Sequence, residues 1–276
     1  MGKADLHSHS TCSDGVLKPA ELVEAARRAR LSVLSITDHD SVDAYRDLPS
    51  TGPGLELVVG VEISVFHDGG EIHVLGYFVD PACPELASLL ARMSRARQER
   101  AARILDRLAA AGIELPPERR APLLANPHVG RPHIARALVE AGAVASRREA
   151  FRRFLVPGAP GYERRSDLPS GHEALKIIAT AGGVGVWAHP GTDCMIDSGP
   201  LTELERSGLR GLEAFHPSHT RGEMESLALF ARRRGLIVTG GSDFHGDGRE
   251  GAKVGDCAVD AAVVKRLEVH RGRMPS

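Results

Sequence analysis

Short apolar runs that end in a metal-ligating side chain recur along this 276-residue chain, and that recurrence restricts the fold more than any other feature. Ala4-Asp-Leu leads into His7 and His9, and Leu31–Thr37 into Asp38-His39-Asp40. Leu55–Val61 ends at Glu62, Val184–Ala188 at His189, and Leu236–Thr239 leads into Gly240-Gly-Ser-Asp243-Phe-His245. On a strand, side chains i and i+2 project from one face, so an Ala4–His9 strand points His7 and His9 into one space. Asp14 follows on a turn that ends in Gly15. Taken singly each residue has an ordinary explanation. His7-Ser-His9 also fits two surface histidines on an edge strand, His39 a cap neighbour, Glu62 a surface acid and His189 a turn histidine. Independent recurrence of such explanations at five strand ends is improbable, and the C-terminal ends of strands are where barrel-like α/β enzymes carry their chemistry.

The segments between these runs are helical or turn-like. Pro19–Arg30 carries an apolar stripe of Leu22, Val23, Ala26 and Ala29 behind a proline suited to a first turn. Ile63–Phe66 and Glu71–Val79, around Asp68-Gly69-Gly70, predict a hairpin carrying His73. His172–Ala181, Leu201–Ser207 and Met224–Arg234 predict helices, Gly211–Phe215 a further strand, and the tail after Lys265 a loosely held end. The class expected is α/β with parallel strands.

Residues 83–165 differ in character. Leu86, Leu89, Leu90, Met93, Ile104, Leu105 and Leu108 fall at helical spacing before Gly112, and Arg131–Glu140 and Arg147–Leu155 predict two shorter helices. This stretch holds sixteen arginines, no lysine and eight acids, while the whole chain has a formal charge of −1. The expected organisation is a body of residues 1–82 and 166–276 with an inserted basic helical domain, 83–165. A solvated arginine-rich surface and a phosphate-binding cap both fit that composition.

The near-zero net charge gives no argument for membrane or bulk nucleic-acid binding, and no apolar run approaches a membrane span. Cys12, Cys83, Cys194 and Cys257 form no CxxC pair, which fits a reducing compartment. Met1 leads into Gly-Lys-Ala-Asp without an apolar leader, so a soluble cytoplasmic protein with no membrane or obligate protein partner is expected.

The series Asp-Leu-His7-Ser-His9…Ser-Asp14-Gly, Thr-Asp-His39-Asp, Gly-Val-Glu62-Ile-Ser, Ile-His73-Val-Leu-Gly-Tyr, Ala-His189-Pro and Gly-Ser-Asp243-Phe-His245 resembles the motifs of the PHP (polymerase and histidinol phosphatase) superfamily. The resemblance implies a distorted seven-stranded β/α (TIM-like) barrel holding three divalent metal ions. By it, one metal takes His7, His9, Glu62 and Asp243. A second shares Glu62 and adds His73 and His189, and the third takes Asp14, His39 and His245. Some relatives carry His where this chain has Asp14. Mixed imidazole and carboxylate ligands suit Mn, Fe or Zn better than Ca or Mg. Clustered ions of this kind activate water and clamp a phosphoryl group for displacement, and neither a P-loop nor a dinucleotide-binding fingerprint is present.

Gly130-Arg131-Pro132-His133 and Pro160-Gly-Tyr162 resemble the nucleotide-acting branch of the superfamily, the nucleoside 3′,5′-bisphosphate phosphatase and RNase AM-type enzymes. That resemblance implies removal of the 3′-phosphate from adenosine 3′,5′-bisphosphate and 5′-to-3′ trimming of short 5′-phosphorylated RNA. Arg131 is the expected phosphate ligand, since its planar guanidinium binds phosphate bidentately. His133 is either a substrate contact or a packed first-turn residue. His219 is expected to touch phosphate or protonate the leaving group, and His216, which sits where relatives often have Tyr, is a further substrate-contact candidate. The competing expectations are a phosphatase for another small phosphomonoester (histidinol phosphate or a sugar phosphate), a non-catalytic metal-stabilised nucleic-acid-binding protein, and an amidohydrolase-like barrel, which commonly needs a strand-end lysine absent here.

Overall fold

The computed structural model describes residues 2–46, 48, 54–67, 69–165, 167–193, 199–246 and 251–273. Asp68 of the expected turn, Cys194 and Pro275 lie outside them. The elements run β1 (Lys3–Asp5), α1 (Pro19–Arg28), β2 (Val33–Leu34), β3 (Glu56–Leu57), β4 (Gly60–His67), β5 (Gly70–Tyr77), α2 (Pro84–Ala110), α3 (Pro117–Ala125), α4 (Arg131–Glu140) and α5 (Arg147–Ala150). A π-helical turn, Phe151–Leu155, continues α5. Then come α6 (Gly171–Thr180), β6 (Val184–Trp187), α7 (Pro190–Asp193), α8 (Pro200–Arg206), β7 (Leu209–Phe215), α9 (Arg221–Arg233), β8 (Ile237–Gly240), β9 (Val259–Asp260) and α10 (Ala262–Glu268).

Two compact units result, residues 1–88 with 168–276, and residues 89–167. The first is a mixed α/β structure. Its strands form a four-stranded sheet, β3-β2-β1-β9, and a five-stranded sheet, β4-β5-β6-β7-β8. Neither sheet closes on itself among the described residues, so the implied seven-stranded barrel is not present as one continuous ladder. The physical reason is that β1, β2 and β3 are only two or three residues long as paired strands. Beyond Asp5 and Leu34 the chain stays extended but turns its polar groups to single partners. Isolated bridges pair Ser8 with Phe244 and His39 with Glu62. His7 and His9 thus lie just past β1 rather than within it.

The fully buried apolar side chains lie where the alternation of strand and helix requires. Leu6, Leu75, Tyr77, Val186 and Ala188 make one cluster, and Leu22, Ala26, Leu34 and Ile36 another. The Tyr45 hydroxyl ties the second together, lying 2.7 Å from the Ile36 carbonyl and accepting from the Gly60 N–H at 3.0 Å. The chain beyond Lys265 corrects the expectation of a loose tail: Leu267 of α10 is buried, and Gly272 N–H donates to the Gly183 carbonyl.

The helical unit has its own core of Ile104, Leu105, Leu108, Ile134, Leu138, Phe154 and Leu155. Helix α3 has no counterpart among the expected elements, because Pro122 sits inside it. Among the described residues, no helix is long and apolar enough to cross a membrane.

Candidate metal centre

Glu62, the third residue of β4, is fully buried, and its two oxygens face different imidazoles. Oε1 lies 2.9 Å from His73 Nδ1 and 3.1 Å from His189 Nε2. Oε2 lies 2.8 Å from His39 Nδ1, 3.3 Å from His9 Nε2 and 3.4 Å from His7 Nε2. Asp243 Oδ1 joins the same point from the far side, 3.1 Å from His9 Nε2 and 3.4 Å from His7 Nε2. Asp14 Oδ1 is 3.1 Å from His245 Nε2, 4.0 Å from His39 Nε2 and 3.9 Å from His9 Nδ1. All nine side chains singled out as ligands therefore meet in one region. Potential ligand atoms of His9, Asp14, His39 and His245 lie within 4.8 Å of one another, as do those of His7, His9 and Asp243, of His7, Glu62 and His189, and of His39, Glu62 and His73.

His39 departs from its simple place in the third group: Nδ1 faces Glu62 and Nε2 faces Asp14, so it stands between two groups. A neutral imidazole offers one lone pair. His9, used through Nε2 toward His7 and Asp243, therefore turns a ring N–H toward Asp14, and His39 can give its lone pair either to the Glu62 side or to the Asp14 side.

The residues fit divalent metal ions. His39 Nδ1 and Glu62 Oε2 are buried and 2.8 Å apart, yet neither makes a hydrogen bond among the described residues. Buried polar atoms without partners are costly, and lone pairs converging on a common point are what a cation satisfies. Electrostatics agree. Burial pulls the His9 imidazolium down, and the neighbouring His245 and His39 pull it further, to a pKa of about 3, so its lone pair is available. Burial alone would raise the Glu62 carboxyl, but His39, His73 and His7 outweigh it and hold the group well below the usual carboxylate range. Burial would likewise raise Asp14 and Asp243, and imidazoles led by His245 hold both well below that range.

Sequence reasoning missed the acids that aim these ligands. Glu213 on β7 is fully buried, and its two oxygens each lie 3.0 Å from His7 Nδ1. Its Oε2 also accepts the His189 backbone N–H at 3.0 Å, at a residue held in the left-handed region, φ 30°. Burial would lower the His7 pKa, but Glu213, Glu62 and Asp243 outweigh it and raise it well above the ordinary value, so a cation at Nε2 would displace a proton from the ring. A proton kept on Nδ1 by Glu213 turns the Nε2 lone pair into the centre, the usual carboxylate–histidine arrangement behind a metal ligand. An acid inside the apolar run Gly211-Leu-Glu-Ala-Phe215 was the available signal.

Asp38 accepts from Ser10 N–H at 2.7 Å, Ser10 Oγ at 2.6 Å and Ser13 Oγ at 2.5 Å, fixing the turn that presents Asp14. Asp5 accepts from the backbone of Ser242 at 2.9 Å and Gly255 at 2.8 Å, fixing the segment that presents Asp243. Glu213→Gln is expected to lower metal affinity and activity by roughly 10–100-fold while the protein stays folded. Metal content at graded free-metal concentrations checks this, and wild-type affinity in the variant would remove Glu213 from the centre.

His216 and His219 follow β7. His216 Nδ1 accepts the Ser218 N–H at 3.1 Å, and its buried Nε2 lies 3.2 Å from Asp243 Oδ2 without making a hydrogen bond among the described residues. His219 lies 3.0 Å from the Ala214 carbonyl through Nδ1, which must donate, so Nε2 carries the lone pair. A cavity of about 250 Å³ opens on this cluster, lined by His39, Glu62, His73, His189, His216 and Asp243 among others. Arg131 and His133 belong to the helical unit. There Arg131 Nη1 donates to the Leu155 carbonyl at 3.3 Å, and the buried His133 accepts the Gly130 N–H at 3.2 Å in the first turn of α4.

Comparison with known proteins matches this geometry to a family. The family model of the PHP domain matches residues 5–126. A 3′,5′-nucleoside bisphosphate phosphatase of Chromobacterium violaceum is 36% identical over 92% of this chain and 91% of its own length. A 5′-3′ exoribonuclease of Haemophilus influenzae is 35% identical over 88% of this chain and 90% of its own. Among solved structures, a protein from Chromobacterium violaceum called an amidohydrolase, with bound sulfate and no metal, superposes with a TM-score of 0.86, covering 98% of each chain at 33% identity. With the ligand motifs in order and brought together in space, the chain belongs to the PHP-domain family and is a metal-dependent phosphoesterase.

Proposed function

We propose that the enzyme removes the 3′-phosphate from nucleoside 3′,5′-bisphosphates and trims 5′-phosphorylated RNA from its 5′ end. The observation that carries the reading is the convergence of five imidazoles, those of His7, His9, His39, His73 and His189, on the two-faced carboxylate of Glu62, with Asp243, Asp14 and His245 beside them. The substrate class is supported by likeness to a bisphosphate phosphatase and an exoribonuclease along nearly the whole chain. Three ions, Mn, Fe or Zn, would be held by His7, His9, Glu62 and Asp243, by Glu62, His73 and His189, and by Asp14, His39 and His245. Such ions, when bound, activate water and neutralise charge on the phosphoryl oxygens.

The chain's own residues do the rest. His216 Nε2 stands 3.2 Å from Asp243 Oδ2, beside the centre. His219, anchored through Nδ1, presents Nε2 to the leaving oxygen and, when protonated, delivers its proton there. Arg131 binds the 5′-phosphate, with His133 supporting the turn that carries it. We assign catalysis to residues 1–82 and 166–276, and substrate anchoring to the basic helical domain, 83–165. The bridges Ser8–Phe244 and His39–Glu62 support a ring of seven strands, β1, β2 and β4–β8, joined at the ligand-bearing ends. A cytoplasmic location suits these substrates.

Manganese-loaded protein tested on adenosine 3′,5′-bisphosphate, AMP, histidinol phosphate, a sugar phosphate and a 5′-phosphorylated RNA, with products identified, decides the reading. Adenosine 3′,5′-bisphosphate should be preferred and give AMP. Faster turnover of histidinol phosphate or a sugar phosphate overturns it. Arg131→Ala should cost roughly 10–100-fold in kcat/KM on the bisphosphate, the scale of about 1.5–3 kcal/mol for a charged hydrogen-bonded contact.

A further inference from the structure

The helical unit has a surplus of positive charge, and the structure localises it. Several of its arginines are matched to acids of the same unit: Arg103 and Arg107 to Glu163, Arg119 to Glu140, and Arg120 to Asp106. The segment 147–153 is different, with four arginines to one acid. Its one acid, Glu149, is taken by Arg153 at 2.8 Å. Arg148 and Arg152 are exposed and form no ion pair among the described residues. Residues four apart lie side by side on a helical turn, so these two guanidinium groups are neighbours.

Arg152 lies within a π-helical turn, a widened geometry frequent at functional sites. The Phe151 ring is only partly buried, with the Arg131 guanidinium 6.0 Å from its centroid, and Arg153 stacks 4.8 Å over Phe154. Adjacent unpaired arginines beside a half-open aromatic ring are the elements of a single-strand binding surface, where cations follow the phosphates and a ring accepts a base.

We propose that the Arg147–Arg153 segment binds the phosphodiester backbone of single-stranded RNA. This rests on the reading that RNA is a substrate, and it adds to Arg131 a second contact region, for the phosphates that a longer strand has and a mononucleotide lacks. Affinity for RNA then grows with strand length, while turnover of a nucleoside bisphosphate is independent of the segment.

The test compares wild type with Arg148→Glu/Arg152→Glu and with the charge-matched control Arg28→Glu/Arg232→Glu, using metal-loaded full-length protein. The substrates are adenosine 3′,5′-bisphosphate and 5′-phosphorylated di-, tetra- and octanucleotides. The first variant should raise KM for the octanucleotide by about tenfold and leave the bisphosphate within about twofold. It should also flatten the slope of log affinity against log salt by about 1.4, the loss of two single-strand phosphate contacts. A phosphorothioate-linked octanucleotide, which resists cleavage, reads binding even if the wild type cleaves no RNA, so failure of the substrate reading and failure of this surface are told apart. An equal effect at every length, an equal effect of the control pair, or an unchanged salt slope overturns the proposal.

Discussion

Replacing Glu62 with glutamine is expected to lower phosphoester hydrolysis by roughly 10³-fold or more, the scale reached when one member of a concerted catalytic group is removed. The reason is in the two faces of the side chain. Oε1 meets His73 and His189, and Oε2 meets His39, His9 and His7. An amide keeps one oxygen and puts an NH₂ group on the other face, so whichever way it turns, donors point at lone pairs that converge for a cation. Stability separates this from simple damage. In metal-free protein Glu62 is a buried carboxylate held ionised by imidazoles, and a neutral isostere loses those attractions. The stripped variant should melt below the stripped wild type but still cooperatively, while the rise produced by adding manganese should shrink, because a ligand stabilises only as far as it binds. Full metal content with activity within tenfold of wild type would contradict a bridging role.

The nine clustered side chains were legible because most of them are announced locally, by an apolar run and then a polar side chain. Glu62, His73 and His189 come from three separate strands, yet each can be found without knowing which strands pair. What could not be found that way depends on partners distant in sequence. Glu213 looks like one acid in an apolar strand until His7, 206 positions away, is placed against it. The same holds for the tie of Asp5 to Gly255, and for the shortness of β1 and β2, whose extended continuations are fixed by single bridges instead of a ladder. Propensity misled at α3, where Pro122 is tolerated inside a helix, and at the C-terminus, where three buried apolar side chains hold α10. At 147–155 the expected helix is present but widens into a π turn, a change of hydrogen-bond register that residue spacing does not encode.

Gly241→Ala is expected to destabilise the protein by about 3 kcal/mol or more, the upper range for overpacking a site that cannot yield. A Cβ at this position would lie 2.4 Å from His7 N, 2.5 Å from His7 Cβ and 2.8 Å from His7 Cα. These are mostly backbone atoms, so no rotamer change relieves the contact. His7 cannot retreat either: its carbonyl accepts the Asp243 N–H at 2.8 Å, its own N–H is directed at Asp5 Oδ1, and its ring is clamped by Glu213. The only response is to part the segment after β8 from the segment after β1, and that junction carries Asp243 on one side and His7 and His9 on the other. Loss of stability and loss of metal should therefore come together. Gly222→Ala is the control, since a Cβ there meets nothing within 4 Å and its helix gains from the substitution. Denaturant unfolding and metal analysis on the two variants check the argument. A stable, fully metallated Gly241→Ala protein would mean that the two segments part without cost, and that the close approach at Gly241 does not set the spacing of the ligands.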